Sequence, residues 1–217
     1  MAIWILINYF PVIYWTCSAL AALRVFHEES RTIFVCTLLF FIYLLPPLLC
    51  RLTFLFLPTP KRRSPVPSKA AYSWWISSQL QVTYLRLPFL EELLRMIPGA
   101  YSAWLRLWGA KIGKFVYWAP GVVIADRSHI EIGNFVLFGY GSKLTSHGLV
   151  KRKNGKSYLI FSPIKIEDHA LVGTLSGMGP GCRVAKNTTL PANAVLTIFS
   201  TWDEALGQEV KIPRLKP

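Results

Sequence analysis

Acidic side chains are scarce in this sequence. Eleven Asp and Glu stand against twenty-four Lys and Arg, a formal net charge of +13. A surface so short of negative charge favours anionic partners: lipid headgroups, nucleic acid or a phosphate-rich cofactor. Nucleic acid ranks last among these, because no groove-reading motif and no RNP-like sequence occurs. Cysteine is scarce as well. Cys17, Cys36 and Cys50 lie in apolar stretches, Cys182 stands alone, and no CxxC pair exists. That pattern suggests neither a disulfide framework nor a cysteine-rich zinc site. Charged residues of both signs reach only 16% of the chain. The shortage is deepest before residue 58.

What fills that region is apolar. The chain is 53% hydrophobic, with a mean hydropathy of +0.37. Residues 3–26 form a nearly uncharged run, broken by Arg24 near its end. Residues 32–57 form a second, interrupted by Pro46-Pro47 and Arg51. Each is long enough for the ~20 helical residues that a bilayer core requires. The short connection at 27–31 makes a helical hairpin of residues 1–57, in which Pro46-Pro47 implies a kinked or re-entrant second helix. The first run has no basic residue before it, unlike a cleaved signal peptide. Lys61, Arg62, Arg63 and Lys69 follow the second run, and the positive-inside bias sets that side in the cytoplasm, against a weaker pull from Arg24 and Arg31. The expectation is a multi-pass protein of the cell (inner) membrane with its following domain cytoplasmic.

Residues 58–69 read as a basic, Pro-rich linker. Residues 70–109 read as interfacial amphipathic helices, with helical spacing at 89–96 and 101–108 on either side of Pro98-Gly99. Trp74, Trp75, Trp104 and Trp108 are side chains suited to a lipid–water boundary. Packing of the same indoles on the next domain is the alternative.

From Ile112 onward an apolar residue recurs every six positions: Ile112, Trp118, Ile124; Ile132, Phe138, Leu144; Ile166, Val172, Met178; Val184, Leu190, Leu196. Four positions after each comes a small or β-branched residue, from Val116 and Val122 through Ser128 and Gly148 to Ser200. Gly or Ala follows most openers. A period of six is neither helical nor alternating. It makes one short strand and one turn; three such units make a triangular coil whose opener points inward, and coils bury their interiors only by stacking. Gly after the opener is expected to ease the sharp turn. Residues 110–200 are therefore read as a parallel β-helix of about four coils. A two-residue insertion falls near Ile130 and a long loop at 149–162. A tail, 201–217, follows.

The segments HIEIGNFV (129–136), LTSH (144–147), KRKNGKSY (151–158), PIKIEDHALVG (163–173) and MGPGCRV (178–184) resemble the hexapeptide-repeat acetyltransferases, in particular galactoside, maltose and exopolysaccharide O-acetyltransferases. The resemblance implies a left-handed β-helix, a homotrimer with the active site and CoA groove between adjacent prisms, and a loop reaching over a neighbour. It implies acetyl-CoA as co-substrate, no metal, and His147 as general base. That role suits the residue. An alcohol is a poor nucleophile near neutral pH, and an imidazole of ordinary pKa about 6.5 can take its proton during attack on a thioester. Thr174, Ala192 and Thr197 match CoA-contacting positions. Leu171 and Ile198 replace a Trp and a Lys of the family, and Arg183 and Lys186 are the candidates for phosphate charge. On the acceptor side only Asp126 survives of an acidic pair, while Ala119 and Lys156 replace polar family residues. With the apolar hairpin, this favours a lipid-linked glycan, a lipid or another membrane-held hydroxyl acceptor over a free sugar. The alternatives are a longer-chain or carrier-bound acyl donor, a non-catalytic membrane scaffold, and a zinc carbonic anhydrase of the same fold drawing on His129, His147 and His169.

Overall fold

A computed structural model describes residues 2–28, 30–203 and 208–211. Helix α1 (Ala2–Glu28) is followed by α2 (Arg31–Leu39), a π-helical segment (Phe40–Leu44) and α3 (Leu45–Phe56). Two stretches, Ile7–Phe26 and Arg31–Phe56, are long and apolar enough to cross a membrane. Ser30 accepts a hydrogen bond from the Ile33 amide and caps α2.

The π turn has a cause in sequence. Pro46 and Pro47 carry no N–H, so the carbonyls one turn earlier lose their helical donors. Side chains of other helices replace them. The Tyr84 hydroxyl donates to the Ile42 carbonyl, Trp104 Nε1 to the Tyr43 carbonyl at 2.9 Å, and the Tyr14 hydroxyl to the Phe41 carbonyl at 2.5 Å. The expected interruption is thus a bonded joint between the hairpin and the helices after it.

Strand β1 (Arg63–Val66) precedes α4 (Lys69–Arg86), α5 (Phe89–Arg95) and α6 (Ala100–Trp108). Four coils follow. They comprise β2 (Lys111–Ile112), β3 (Tyr117–Trp118) and β4 (Val123–Ile124); β5 (Ile130–Ile132), β6 (Leu137–Phe138) and β7 (Lys143–Leu144); then, after a hairpin of β8 (His147–Lys151) and β9 (Ser157–Phe161), β10 (Ile164–Ile166), β11 (Leu171–Val172) and β12 (Gly177–Met178); and β13 (Arg183–Val184), β14 (Thr189–Leu190) and β15 (Val195–Leu196). Strand β16 (Ser200–Asp203) begins a further turn, and β17 (Gln208–Lys211) pairs back on it antiparallel. Every coil-to-coil pairing is parallel. The result is a three-faced prism that fits a left-handed β-helix: a first face of β2, β5, β10, β13 and β16, a second of β3, β6, β11 and β14, and a third of β4, β7, β12 and β15.

All twelve openers point inward and are 9% exposed or less. Two corner positions differ from expectation. Ser128 and Gly148 do not fill the small-residue slot ahead of the next opener; Ile130 and Ile164, both buried, do. Both slots follow an insertion, so counting forward from the previous opener lands short. The glycines after the openers also have a different task. Left-handed backbone falls three residues after an opener, as at Gly121, Gly141, Phe115 and Asn193. A Cβ on Gly173 would instead sit 2.5 Å from the Ala192 amide nitrogen and 2.6 Å from the Leu190 carbonyl oxygen. Gly173 lets one coil lie flat on the next. Gly173→Ala must push neighbouring backbones apart, and overpacking of this kind costs about 1–3 kcal/mol; thermal unfolding is expected to begin several degrees lower, and an unchanged melting curve would contradict the stacking role.

Helices α4 to α6 close the open end of the first coil. Trp118 Nε1 donates to the Ser102 hydroxyl at 2.9 Å, and Arg95 Nη2 to the Val122 carbonyl at 2.7 Å. Three of the four indoles of this layer are packed rather than bare. Trp74, Trp104 and Trp108 are 4%, 4% and 1% exposed and form part of the core. Trp104 and Trp108 share one core with the prism openers and cap a prism end that would otherwise meet water, while Trp74 packs with Ala71, Leu159 and Phe161. The basic segment after α3 is likewise structured: β1 adds to the β8–β9 hairpin as a third antiparallel strand, Arg63 opposite Ile160. Arg63 lies over the Tyr158 ring at 4.0 Å and Arg62 over Phe199 at 3.7 Å.

Candidate active site

The prism decides which distant residues meet. Ile124 stacks directly on Leu144 in the third face. Two residues further along, Asp126 therefore lies against Ser146, one coil away in space and twenty residues away in sequence. The chain then departs into the hairpin, and His147 stands at the edge between the third and first faces.

Asp126 Oδ2 lies 2.7 Å from His147 Nδ1 and accepts the Ser146 amide at 2.9 Å. Its Oδ1 accepts Trp74 Nε1 at 3.2 Å. The Trp74 ring lies against the imidazole, centroids 4.8 Å apart. Asp126 is 1% exposed; the His147 side chain is 29% exposed. A carboxylate only accepts, so Nδ1 carries the proton shared with Asp126 and Nε2 lies on the far side of the ring from that contact. All three donors engage Asp126. The sequence pointed to Asp126 as an acceptor contact; here its oxygens serve His147. Trp74 was missed, because nothing in the repeat refers to a helix fifty residues upstream.

Arg127 continues the arrangement inward. It is fully buried. Its Nε donates to Glu91 Oε1 at 2.8 Å, and its backbone amide donates to Gln81 Oε1 at 2.6 Å. Glu91 also accepts the Tyr101 hydroxyl at 3.1 Å and lies 3.7 Å from Arg95. The guanidinium is ringed by Tyr84, Trp104 and Trp108 at 5.2, 5.7 and 5.9 Å. Burial pushes the phenols of Tyr84 and Tyr101 upward, so both stay neutral donors. This cluster fixes the insertion that carries Asp126.

The other candidates divide between edges. Thr174 and Ala192 share the edge between the second and third faces; the Asn193 amide donates to the Thr174 carbonyl at 2.8 Å. Thr197 lies on the same edge as His147. A Cβ on Gly148 would lie 3.7 Å from Pro180 and 3.9 Å from Ile198, the residue after Thr197. Between these two edges runs the third face, where a Cβ on Gly177 would meet nothing within 4 Å. Arg183 and Lys186 are elsewhere. Arg183 points outward from the first face and holds Glu167 at 2.8 and 2.6 Å, and the Lys186 amide donates to the same carboxylate at 3.1 Å.

The three candidate histidines do not converge. His169 stacks on Phe135 at the edge between the first and second faces, centroids 5.0 Å apart, and His129 Nδ1 lies 2.9 Å from the Ser128 hydroxyl. Among the described residues no group of three His, Cys, Asp or Glu could hold a metal ion. Burial lowers the His129 pKa to about 4, against the opposing pull of Asp126 and Glu131. Between about pH 6.5 and pH 4 the unfolded chain binds this proton and the folded one does not. Stability should be complete above that window and fall as pH drops through it. His129→Gln should flatten the fall in a pH series of unfolding midpoints; an identical slope would assign it to other groups.

A prism of stacked hexapeptide coils with an Asp–His dyad on its edge defines the structural class. No family model matches the chain, and no curated protein matches it. Solved structures do. A hexapeptide-repeat acetyltransferase of Vibrio cholerae is 17% identical over 63% of this chain and 93% of that one, with a TM-score of 0.37. A galactoside acetyltransferase solved with coenzyme A is 17% identical over 63% of this chain and 82% of that one, with a TM-score of 0.32. A maltose O-acetyltransferase of Clostridium difficile 630 is 10% identical over 58% and 83%, with a TM-score of 0.23. At such values the likeness carries no argument by itself, and both the fold and the chemistry of this chain rest on its own strands and side chains.

Proposed function

We propose that the protein is a membrane-anchored O-acetyltransferase, moving acetyl from acetyl-CoA to a hydroxyl of a membrane-associated acceptor, with His147 as general base. The observation that carries this is the Asp126–His147 pair, its imidazole 29% exposed at an edge of the prism.

The acceptor hydroxyl gives its proton to Nε2 as its oxygen attacks the thioester carbonyl. Asp126 holds the ring in the productive tautomer and stabilises the imidazolium that forms. Collapse of the tetrahedral intermediate breaks the C–S bond, and the proton on Nε2 passes to the departing CoA sulfur. The acetyl ester and free CoA leave. Acetyl-CoA is a substrate here, and the mechanism needs no metal. The third face supports a narrow donor arm lying between Thr174 and Ala192 on one edge and Thr197 on the other, since Gly177 leaves open space between them. Arg183, already paired with Glu167, and Lys186 contribute charge from another face.

The hairpin supports anchoring in the cell (inner) membrane. Its large apolar side chains are bare rather than packed: Val12, Leu20, Leu55 and Phe56 are 64%, 62%, 73% and 78% exposed. A core helix of a soluble protein buries such residues. Lys61, Arg62 and Arg63 favour a cytoplasmic prism. A homotrimer is supported by the apolar outer surface of the second face, where Tyr117, Leu137 and Leu171 are 58%, 46% and 38% exposed. An acceptor held in the membrane is tested by presenting acetyl-CoA to the protein in vesicles with lipid-linked and with soluble hydroxyl compounds. Preferential acetylation of the lipid-linked pool is expected, and equal turnover of free sugars would contradict it.

A further inference from the structure

A cavity of about 610 Å³ lies between α1, the π-helical segment and α4. Pro11, Val12, Trp15, Ile42, Val82 and Leu87 make its wall apolar. It borders bare apolar surface, since Val12 and Leu87 are themselves 64% and 45% exposed and Ile13 beside them is 58% exposed. Trp15 Nε1 donates to the Thr83 hydroxyl at 2.7 Å and ties α1 to α4 across the groove. Among the described residues Arg86 is the one charged side chain on the wall, and it is exposed. No buried charge therefore opposes an alkyl chain.

One end of this groove leads to the dyad. Asn8 lines the cavity, and its Oδ1 accepts Trp75 Nε1 at 3.1 Å. The Trp75 ring meets Trp74 edge-on at 5.4 Å. Trp74 in turn lies on His147 and donates to Asp126. Two adjacent indoles thus span the whole distance from groove to imidazole.

We propose that the groove holds the single alkyl or isoprenoid tail of the acceptor, which makes the acceptor a one-tailed amphiphile whose hydroxyl-bearing head crosses the Trp74–Trp75 pair to reach His147. This rests on the acyltransferase reading above. A bilayer delivers such a chain sideways, into a slot bounded by α1 and α4. The prism presents the catalytic edge at the same end.

The test uses the full chain in phosphatidylcholine vesicles and a dodecyl glucoside bearing a terminal diazirine. Illumination should label peptides containing Val12 and Val82, in the native protein and in His147→Ala alike. Val82→Trp, or Val12→Trp should the first fail to fold, fills the slot. Either should abolish most of that labelling. Either should also cut the preference for dodecyl over methyl glucoside, as a ratio of kcat/KM, about tenfold, the loss of two buried methylenes. Label spread evenly over outward positions such as Leu20 overturns the proposal, as does label gathered in the separate cleft of about 770 Å³ beneath Leu48 and His129, or a preference that Val82→Trp leaves intact. Groove labelling without acetyl transfer to any hydroxyl would sink the acyltransferase reading and support the lipid site on its own.

Discussion

His147→Ala is expected to slow acetyl transfer about 10³-fold, within the range a positioned general base contributes. The loss should fall on kcat, because the imidazole meets the acceptor oxygen and the thioester carbonyl only as the bond forms. KM for acetyl-CoA should barely move, since Thr174, Ala192 and Thr197 remain. Folding should survive. The ring is 29% exposed, and Asp126 keeps the Ser146 amide and Trp74 Nε1 as donors when it is removed. Single-turnover transfer of labelled acetyl, alongside a melting curve, separates the two effects. A rate within threefold of the native protein would make the dyad structural and revive the scaffold alternative.

Arg127→Ala is expected to cost about 3 kcal/mol, the low end of the penalty for breaking a buried ion pair, because its partner is left with one weaker cation. The geometry is unforgiving. Arg127 is fully buried and Glu91 3% exposed; with Arg127 gone, Glu91 retains the Tyr101 hydroxyl at 3.1 Å and Arg95 at a slack 3.7 Å. The aromatic ring of Tyr84, Trp104 and Trp108 would also surround a void. The double replacement Arg127→Met with Glu91→Leu removes both charges and keeps the volume, and should recover most of the loss. Denaturant midpoints in detergent, followed by tryptophan fluorescence, measure this. A single variant less than 1 kcal/mol weaker, or a double variant no better than the single, would contradict the account of the cluster.

The hexapeptide period was legible because each coil repeats one local demand. An inward opener must be apolar, and all twelve are buried. What escaped was set by contacts between distant segments. Ile130 and Ile164 took slots expected for Ser128 and Gly148 because each coil restarts its register after an insertion. The indoles at 74, 104 and 108 carry the same apolar body and polar N–H whether they meet lipid or pack inside the protein, so composition could not separate the cases. Strand β1 depends on an edge offered by β9, nearly a hundred residues later. The partner of His147 was within reach in principle. One coil is eighteen residues, the insertion adds two, and Asp126 counted forward by twenty falls on Ser146, beside the histidine. Trp74 offered no such count, since the docking of α4 on the first coil follows from the whole helical layer.

On the proposed mechanism Asp126 acts on the reaction only through the imidazole it holds. A double-mutant cycle isolates that coupling. Asp126→Asn in the native background should lower kcat about 10²-fold or more, by favouring the wrong tautomer of His147. The same change introduced into His147→Ala should lower it no further. If the two losses multiply instead, Asp126 has a separate duty and the dyad is not the unit of catalysis.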